Sequence, residues 1–111
     1  EARLAERRYL CGERMTEADW RLYVTLVRFD FVYYSHFKCN KRRIRDHHNL
    51  WNYLKDLYQY PGISEITDIP GIKRGYYGGM KNVNPSGIVP KGPEDIDLTE
   101  PHDRDRLAKA A

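Results

Sequence analysis

The sequence predicts an all-α protein, and three observations lead to that fold class. Apolar residues recur at helical spacing between Thr16 and Asn40, and a shorter one-sided apolar stripe follows between Asn49 and Tyr58. We find no internal repeat and no segment with the pattern of a β-strand. Proline and glycine dominate the end of the chain, which predicts a helical domain over 1–83 and an extended tail over 84–111.

Length and composition limit the possible function classes. The chain has 111 residues, of which 41% are hydrophobic and 32% charged, and its net charge is +3. These values fit one small globular domain, and so small a charge is weak evidence for a nucleic-acid partner. The two cysteines lack CxxC or metal-ligand spacing, so we expect a reduced, cytoplasmic chain without a metal. We see no signal peptide or transmembrane segment, and expect no membrane partner.

The start of the chain is also informative. It opens at Glu1 rather than methionine, in EARLAERRYL, which has helical character without a capping residue ahead of it. A helix that starts without a cap predicts that this chain is a piece of a longer protein. The loop that ends at Gly12 contains Cys11, which we expect to be a small buried apolar residue.

The strongest local signal is the start of the long helix. Thr16 and Asp19 form a T-x-x-D capping box, and Met15 with Trp20 forms a hydrophobic staple around it. Two adjoining apolar faces follow, made of Val24, Val27, Phe31 and Tyr34 and of Leu22, Leu26, Phe29 and Tyr33. A helix that is apolar around most of its circumference is predicted to be the buried centre of the domain.

Shorter helices are predicted after it. The long helix should end between Phe37 and Asn40, and Asn49 is the candidate N-cap of a second helix, which Tyr-Pro-Gly at 60–62 stops. A further short helix is expected from Ser64. Glycines then bracket the tyrosines of RGYYGG, so the backbone there can approach another group closely.

Several of these segments resemble a known family. RYLCGERMTEADWRLYVTLVRFDFVY, with its capping box and staple, resembles the C-terminal helical domain of the glutathione transferase superfamily. The similarity narrows to the Xi class, the S-glutathionyl-hydroquinone reductases, through VRFDFVYYSHFKCNKRRIRD, LWNYLKDLYQYPGI, IKRGYYGG and NPSGIVPKGP. It extends over roughly residues 4–100.

The resemblance implies a function for the intact parent. Such enzymes carry an N-terminal thioredoxin-like domain, absent from this chain, that binds glutathione and holds a nucleophilic cysteine in a Cys-Pro-Trp context. They remove glutathione from glutathionyl-hydroquinones, giving the hydroquinone and a mixed disulfide that a second glutathione resolves. A homodimer is implied, and this chain alone should be inactive. Two tyrosines that hold the cysteine as a thiolate match Tyr33 and Tyr76, whereas the acid–base tyrosine lies upstream.

The chemistry of tyrosine agrees with that role. A hydrogen-bond donor that favours the thiolate lowers the cysteine pKa. A phenol keeps its own proton up to about pH 10 and brings an apolar ring that suits a hydroquinone pocket. The alternative is that both tyrosines only pack, since the chain has nine of them.

Three other hypotheses concern the end of the long helix and the chain as a whole. Cys39 follows His36 by one helical turn, which would suit a Cys/His nucleophile, although the family's nucleophile lies upstream. The histidines lack the partners of a zinc site. The basic stretch from Lys38 to Arg45 is either a nucleic-acid surface or a solvated helix end balanced by Asp46 and Asp56. The third hypothesis is a non-catalytic interaction module.

Overall fold

The computed structural model describes residues 1–107, and helices provide the regular structure of that range. Its α-helices are α1 (Ala2–Glu6), α2 (Glu17–Arg28), α3 (Tyr34–His36), α4 (His48–Tyr58), α5 (Ile63–Ile66) and α6 (Ile69–Lys73). Two π-helical turns span Phe29–Tyr33 and Arg74–Gly78, and two 3₁₀ turns span Ile44–Asp46 and Arg104–Leu107. In this range a single antiparallel bridge, between Tyr9 and Gly12, is the one β-type pairing. The all-α prediction is confirmed.

α2, the first π turn and α3 form one continuous helical rod, which we call the central rod. Its last helical residue is His36 and its C-cap is Phe37, which agrees with the end predicted around Phe37 to Asn40. The cause of this end is local, because Lys38 adopts a left-handed φ of 57° and leaves the helical region. The N–H groups of Phe37 and Cys39 both donate to the Tyr33 carbonyl oxygen, at 3.3 and 3.2 Å, and close the helix end.

Thr16 and Asp19 occupy the N-cap and N3 positions of the predicted capping box at the start of α2. Asp19 Oδ2 accepts the Thr16 N–H at 2.8 Å, while Oδ1 accepts the Tyr53 hydroxyl at 2.6 Å and the Leu10 N–H at 2.9 Å. The Asp19 side chain is 0% exposed. Burial and the bond to Asp19 together raise the pKa of Tyr53 far above its ordinary range. One carboxylate therefore joins the helix start to α4 and to the preceding loop.

The core forms where α1, α2 and α4 pack together, and α4 is buried over six consecutive residues, Asn52–Leu57. The prediction that the apolar faces of this helix are buried is correct for Val27 and Phe31 but wrong for Val24, which is 48% exposed. Val24 lies on an apolar cleft of about 310 Å³ that it shares with Trp20, Tyr23, Val27, Arg28, Ile63, Ile66, Thr67 and Ile72. The central rod therefore has one open apolar face.

The start of α4 differs from the prediction. Asn49 is not the N-cap, because the helix begins at His48 with His47 in the cap position. The carboxylate of Glu1 instead accepts the N–H groups of Asn49 and Leu50, at 3.1 and 2.9 Å. A distant acidic residue thus satisfies the free donors of this helix start, which no local pattern encodes.

The proline-rich segment lies against the helices. Lys73 Nζ donates to the carbonyl oxygens of Lys91 and Gly92, both at 2.8 Å. Arg104 is fully buried and donates to the carbonyl oxygens of Leu4 and Arg7, at 2.8 and 2.6 Å, at the end of α1. The 3₁₀ turn at Arg104–Leu107 departs from a wholly extended tail. Residues 108–111 of that tail lie outside the described residues, and the division at residue 83 stays a prediction.

Cys11 is exposed, so the prediction that it is buried is wrong. The bridge between Tyr9 and Gly12 makes a tight turn and leaves Cys11 at its tip, where the thiol accepts the Thr16 hydroxyl at 3.7 Å. Gly12 has a φ of 118°, which favours glycine. Across residues 1–107, no helix has the length and apolar character needed to cross a membrane.

Candidate functional site

The two tyrosines singled out from the sequence meet in space. Their hydroxyl oxygens lie 3.4 Å apart although 43 residues separate them in the chain. Their rings pack edge to face, with centroids 5.7 Å apart and an interplanar angle of 77°. Tyr33 is the last residue of the first π turn, and Tyr76 lies in the middle of the second.

Both tyrosines therefore sit in π-helical turns, which the sequence analysis missed. A π turn holds an extra residue, so it changes the direction in which the following side chains point, and such turns are frequent at functional sites. Asp30 lies in the first π turn, is buried, and accepts the N–H groups of Ile44 and Arg45 at 2.7 and 3.1 Å. An acidic residue inside an apolar helix face was the one available signal that this stretch is not an ordinary helix.

Aromatic rings surround the pair. The Phe37 ring centroid lies 5.4 Å from Tyr33 and 6.0 Å from Tyr76, and Phe29 lies 6.2 Å from Tyr33 on the other side. His36 packs behind Tyr76, with a centroid separation of 6.2 Å. The two hydroxyls thus lie in a mainly aromatic cluster.

The state of the pair follows from its contacts. The hydrogen bond to Tyr76 and then burial raise the pKa of Tyr33 above its ordinary value, so the phenol is protonated at neutral pH. At 3.4 Å this bond is longer than the usual 2.5–3.0 Å for two hydroxyls, and hence weak. One of the two hydroxyl protons is not used between them, and both side chains are only half-buried. The pair can therefore donate to a third group.

The chain is similar in sequence to proteins of a known family. The sequence profile of the glutathione S-transferase C-terminal domain matches residues 1–56. The chain belongs to this family. It is 52% identical over 102 residues to the glutathionyl-hydroquinone reductase YqjG of Escherichia coli. The matched region covers 92% of this chain and 31% of that protein. It is 47% identical over 93 residues to the glutathionyl-hydroquinone reductase PcpF of Sphingobium chlorophenolicum, covering 84% of this chain and 30% of the relative.

Solved structures agree with this assignment. The Xi-class glutathione transferase of Natrialba magadii superposes with a TM-score of 0.90 at 52% identity, covering 94% of this chain and 32% of that one. The glutathione-bound structure of YqjG superposes with a TM-score of 0.90 at 51% identity, over 94% and 34%. The resemblance to the Xi class is confirmed. The chain spans about a third of the length of these relatives.

Four clefts of about 240 to 550 Å³ are found on this glutathione S-transferase C-terminal domain within residues 1–107, and none of these four is lined by Tyr33 or Tyr76. Both side chains are half-buried, next to the rings of Phe29 and Phe37. A complete hydroquinone pocket on this domain stays a prediction.

The Cys39 and His36 hypothesis gains no geometric support. Cys39 is exposed, and its thiol donates to the Phe37 carbonyl oxygen at 3.8 Å. His36 is buried, and its ring nitrogens have no hydrogen-bond partner in residues 1–107. Within the same range, no three His, Cys, Asp or Glu side chains group as metal ligands.

The basic stretch divides into two parts. Arg43 pairs with Asp46 at 3.6 Å, and Arg45 pairs with Asp95. Asp56 does not balance this stretch, because it binds Arg8 at 3.0 Å. The remaining cations line an open cleft of about 550 Å³ formed by Phe29, Lys38, Cys39, Asn40, Lys41, Arg42 and His47. That no nucleic acid binds there stays a prediction.

Proposed function

We propose that this chain is the C-terminal domain of a glutathione-dependent reductase that removes glutathione from glutathionyl-hydroquinones. The reacting cysteine belongs to an upstream thioredoxin-like domain, and Tyr33 and Tyr76 hold it as a thiolate. The approach of their hydroxyls to 3.4 Å, from elements far apart in the chain, is the observation that carries this proposal. The name of the E. coli relative, a glutathionyl-hydroquinone reductase, supports the same reaction.

The weak bond between the hydroxyls suits this role. A thiolate placed near both oxygens offers a charged acceptor, and hydrogen bonds to charged groups are stronger than those between neutral ones. Each phenol then exchanges a poor mutual bond for a better one to sulfur. Because the anion gains and the neutral thiol does not, the cysteine pKa falls.

The reaction then proceeds by attack on sulfur. The thiolate attacks the glutathione sulfur of the substrate, the bond from that sulfur to the hydroquinone ring breaks, and the ring carbon takes up a proton. A second glutathione reduces the resulting mixed disulfide. Phe29 and Phe37 flank the tyrosines and supply apolar surface for the hydroquinone ring.

The other parts of the proposal concern the whole protein. Glutathione is a co-substrate, bound mainly by the upstream domain. The same domain completes the hydroquinone pocket over the tyrosine pair. The whole protein is a cytoplasmic homodimer. The alternative, a non-catalytic interaction module, requires the upstream coding sequence to lack a Cys-Pro-Trp motif, so reading that sequence separates the two.

The decisive test measures the cysteine pKa in the longer protein. Tyr33→Phe and Tyr76→Phe each remove a donor and keep the ring. Loss of one bond to a charged group costs about 1.5–3 kcal/mol, so the pKa should rise by about one to two units. Alkylation rate against pH reports that pKa. Tyr34→Phe, the same change at the next residue of the rod, is the matched control. If Tyr33→Phe and Tyr76→Phe both leave the alkylation profile unchanged, the proposed role of the pair is wrong.

A second test uses the 111-residue chain alone. We expect no turnover of a glutathionyl-hydroquinone, because the proposed nucleophile and glutathione site lie upstream. Turnover that disappears in Cys39→Ser would contradict this expectation and would make Cys39 the nucleophile.

A further inference from the structure

His36 ends the central rod in an environment that is unusual for a histidine. Its side chain is 5% exposed, and Nδ1 and Nε2 are both buried without a hydrogen-bond partner among residues 1–107. Buried polar atoms in proteins are nearly always hydrogen-bonded, so this exception requires an explanation. Within residues 1–107 the two nitrogens form no hydrogen bond that would favour histidine, so the contacts of the ring itself account for this residue.

The imidazole packs between the two π turns. Its centroid lies 4.8 Å from that of Tyr77 and 6.2 Å from that of Tyr76, in both cases edge to face, and 4.7 Å from Phe37. Tyr77 in turn donates its hydroxyl to the Val32 carbonyl oxygen in the first π turn, at 3.3 Å. These contacts connect the end of the rod to the segment that carries Tyr76.

We propose that His36 is a positioning residue: its uncharged ring packs against the second π turn and holds the Tyr76 hydroxyl beside that of Tyr33. It acts through the tyrosines and touches no reacting atom. The inference rests on the proposed function, because the distance between the hydroxyls matters for chemistry only if they bind the thiolate.

The charge state of the ring follows from its surroundings. The rings of Tyr76 and Tyr77 contact it from the second π turn, and the positive charge of Lys38 acts on it from its own segment. Burial, and then the charge of Lys38, lower the pKa of His36 below its ordinary value. The ring is therefore neutral at pH 7.

The direction of the pH effect follows from linkage. The unfolded chain takes up a proton on this histidine as the pH falls below about 6.5, while the folded chain takes it up only at lower pH. The stabilisation from the neutral ring is therefore complete above that pH and is lost as the pH falls from there toward the lowered pKa of the folded state. A protonated ring would need water, which it cannot reach without leaving the cluster.

The experiment uses the 111-residue chain with fluorotyrosine, which titrates at lower pH than tyrosine, observed by fluorine NMR. In the unsubstituted chain the Tyr33 signal should titrate at higher pH than free fluorotyrosine does. His36→Ala should move the Tyr33 titration toward that of the free amino acid, and His36→Phe should keep it in place. His102→Ala, which changes a largely buried histidine beside Asp56, is the matched control and should have no effect.

A second measurement remains decisive if His36→Ala fails to fold. As the pH is lowered from 7 while the chain stays folded, the Tyr76 signal should shift in the unsubstituted chain and stay constant in His36→Phe. An unmoved Tyr33 titration in folded His36→Ala, or a Tyr76 shift that persists in His36→Phe, would overturn the proposal. These readouts need no enzyme activity, so a failed alkylation test would refute the proposed function and leave the positioning result standing.

Discussion

The two ends of the central rod satisfy their polar groups in opposite ways. At the start, Asp19 is fully buried and accepts bonds from Thr16, Tyr53 and Leu10. At the end, Tyr33 and Tyr76 share one long bond, and His36 is buried with both nitrogens unpartnered among residues 1–107. The central rod thus has a start where the buried carboxylate is fully hydrogen-bonded and an end where polar groups lack hydrogen-bond partners among residues 1–107.

The difference separates stability from chemistry. Polar groups whose hydrogen bonds are all internal fix a structure but have none to offer a ligand. Polar groups with unused hydrogen-bond donors add little to the stability of the fold and remain available to a reacting atom. Local packing is expected to be less than optimal at functional sites. We therefore expect substitutions at the start of the rod to act mainly on the free energy of unfolding. Substitutions at its end should act mainly on the pKa of the proposed upstream cysteine.

The largest effect is expected for Asp19→Ala. It removes one carboxylate with three donors and leaves the Tyr53 hydroxyl and two backbone N–H groups without an acceptor. Since a bond to a charged group contributes about 1.5–3 kcal/mol and such terms are not additive, the free energy of unfolding should fall by about 3–5 kcal/mol. Urea unfolding measures this change.

Asp68→Ala is the matched control for that measurement. Asp68 also caps a helix, accepting the Gly71 N–H at 3.0 Å, but it is exposed at the start of short α6. Its loss should cost about 1 kcal/mol. If Asp19→Ala costs no more than Asp68→Ala, the tertiary bonds of Asp19 add nothing and the contrast between the two ends fails.

A smaller effect is expected for Thr16→Ala, which removes the hydroxyl of the capping box and leaves Asp19 in place. The expected loss is about 1–2 kcal/mol of unfolding free energy, the usual cost of a cap residue. Thr25→Ala, an exposed position within the same helix, is the control and should be nearly neutral. Coincident urea midpoints for Thr16→Ala and the unsubstituted chain would contradict the assigned role of Thr16.

The same contrast explains what could be predicted from the sequence. The start of the rod follows from local rules, because Thr16 and Asp19 lie three residues apart in the positions of a capping box and the Asp19 carboxylate accepts the Thr16 N–H. The end of the rod depends on long-range contacts, such as Asp30 binding Ile44, which no helical periodicity encodes. The pairing of Tyr33 with Tyr76 was available only through the resemblance, since nine tyrosines offer no reason to choose two.

The smallest effect on stability is expected for Tyr33→Phe and Tyr76→Phe. Each removes a hydroxyl whose bond is 3.4 Å long, and the remaining hydroxyl of the half-buried pair can bind water instead. The free energy of unfolding should change by less than about 0.5 kcal/mol, below the usual net value of a hydrogen bond. Urea unfolding of the 111-residue chain provides the measurement.

Tyr53→Phe is the matched control, because it removes a tyrosine hydroxyl that is bonded to Asp19 at 2.6 Å in the core. Its loss should cost about 1.5–3 kcal/mol, as for other bonds to charged groups. Replacing tyrosine by phenylalanine should therefore lower the free energy of unfolding at the start of the rod and leave it nearly unchanged at the end. If Tyr33→Phe were as destabilising as Tyr53→Phe, the pair would be structural, and its hydroxyls would not be free to turn toward a thiolate.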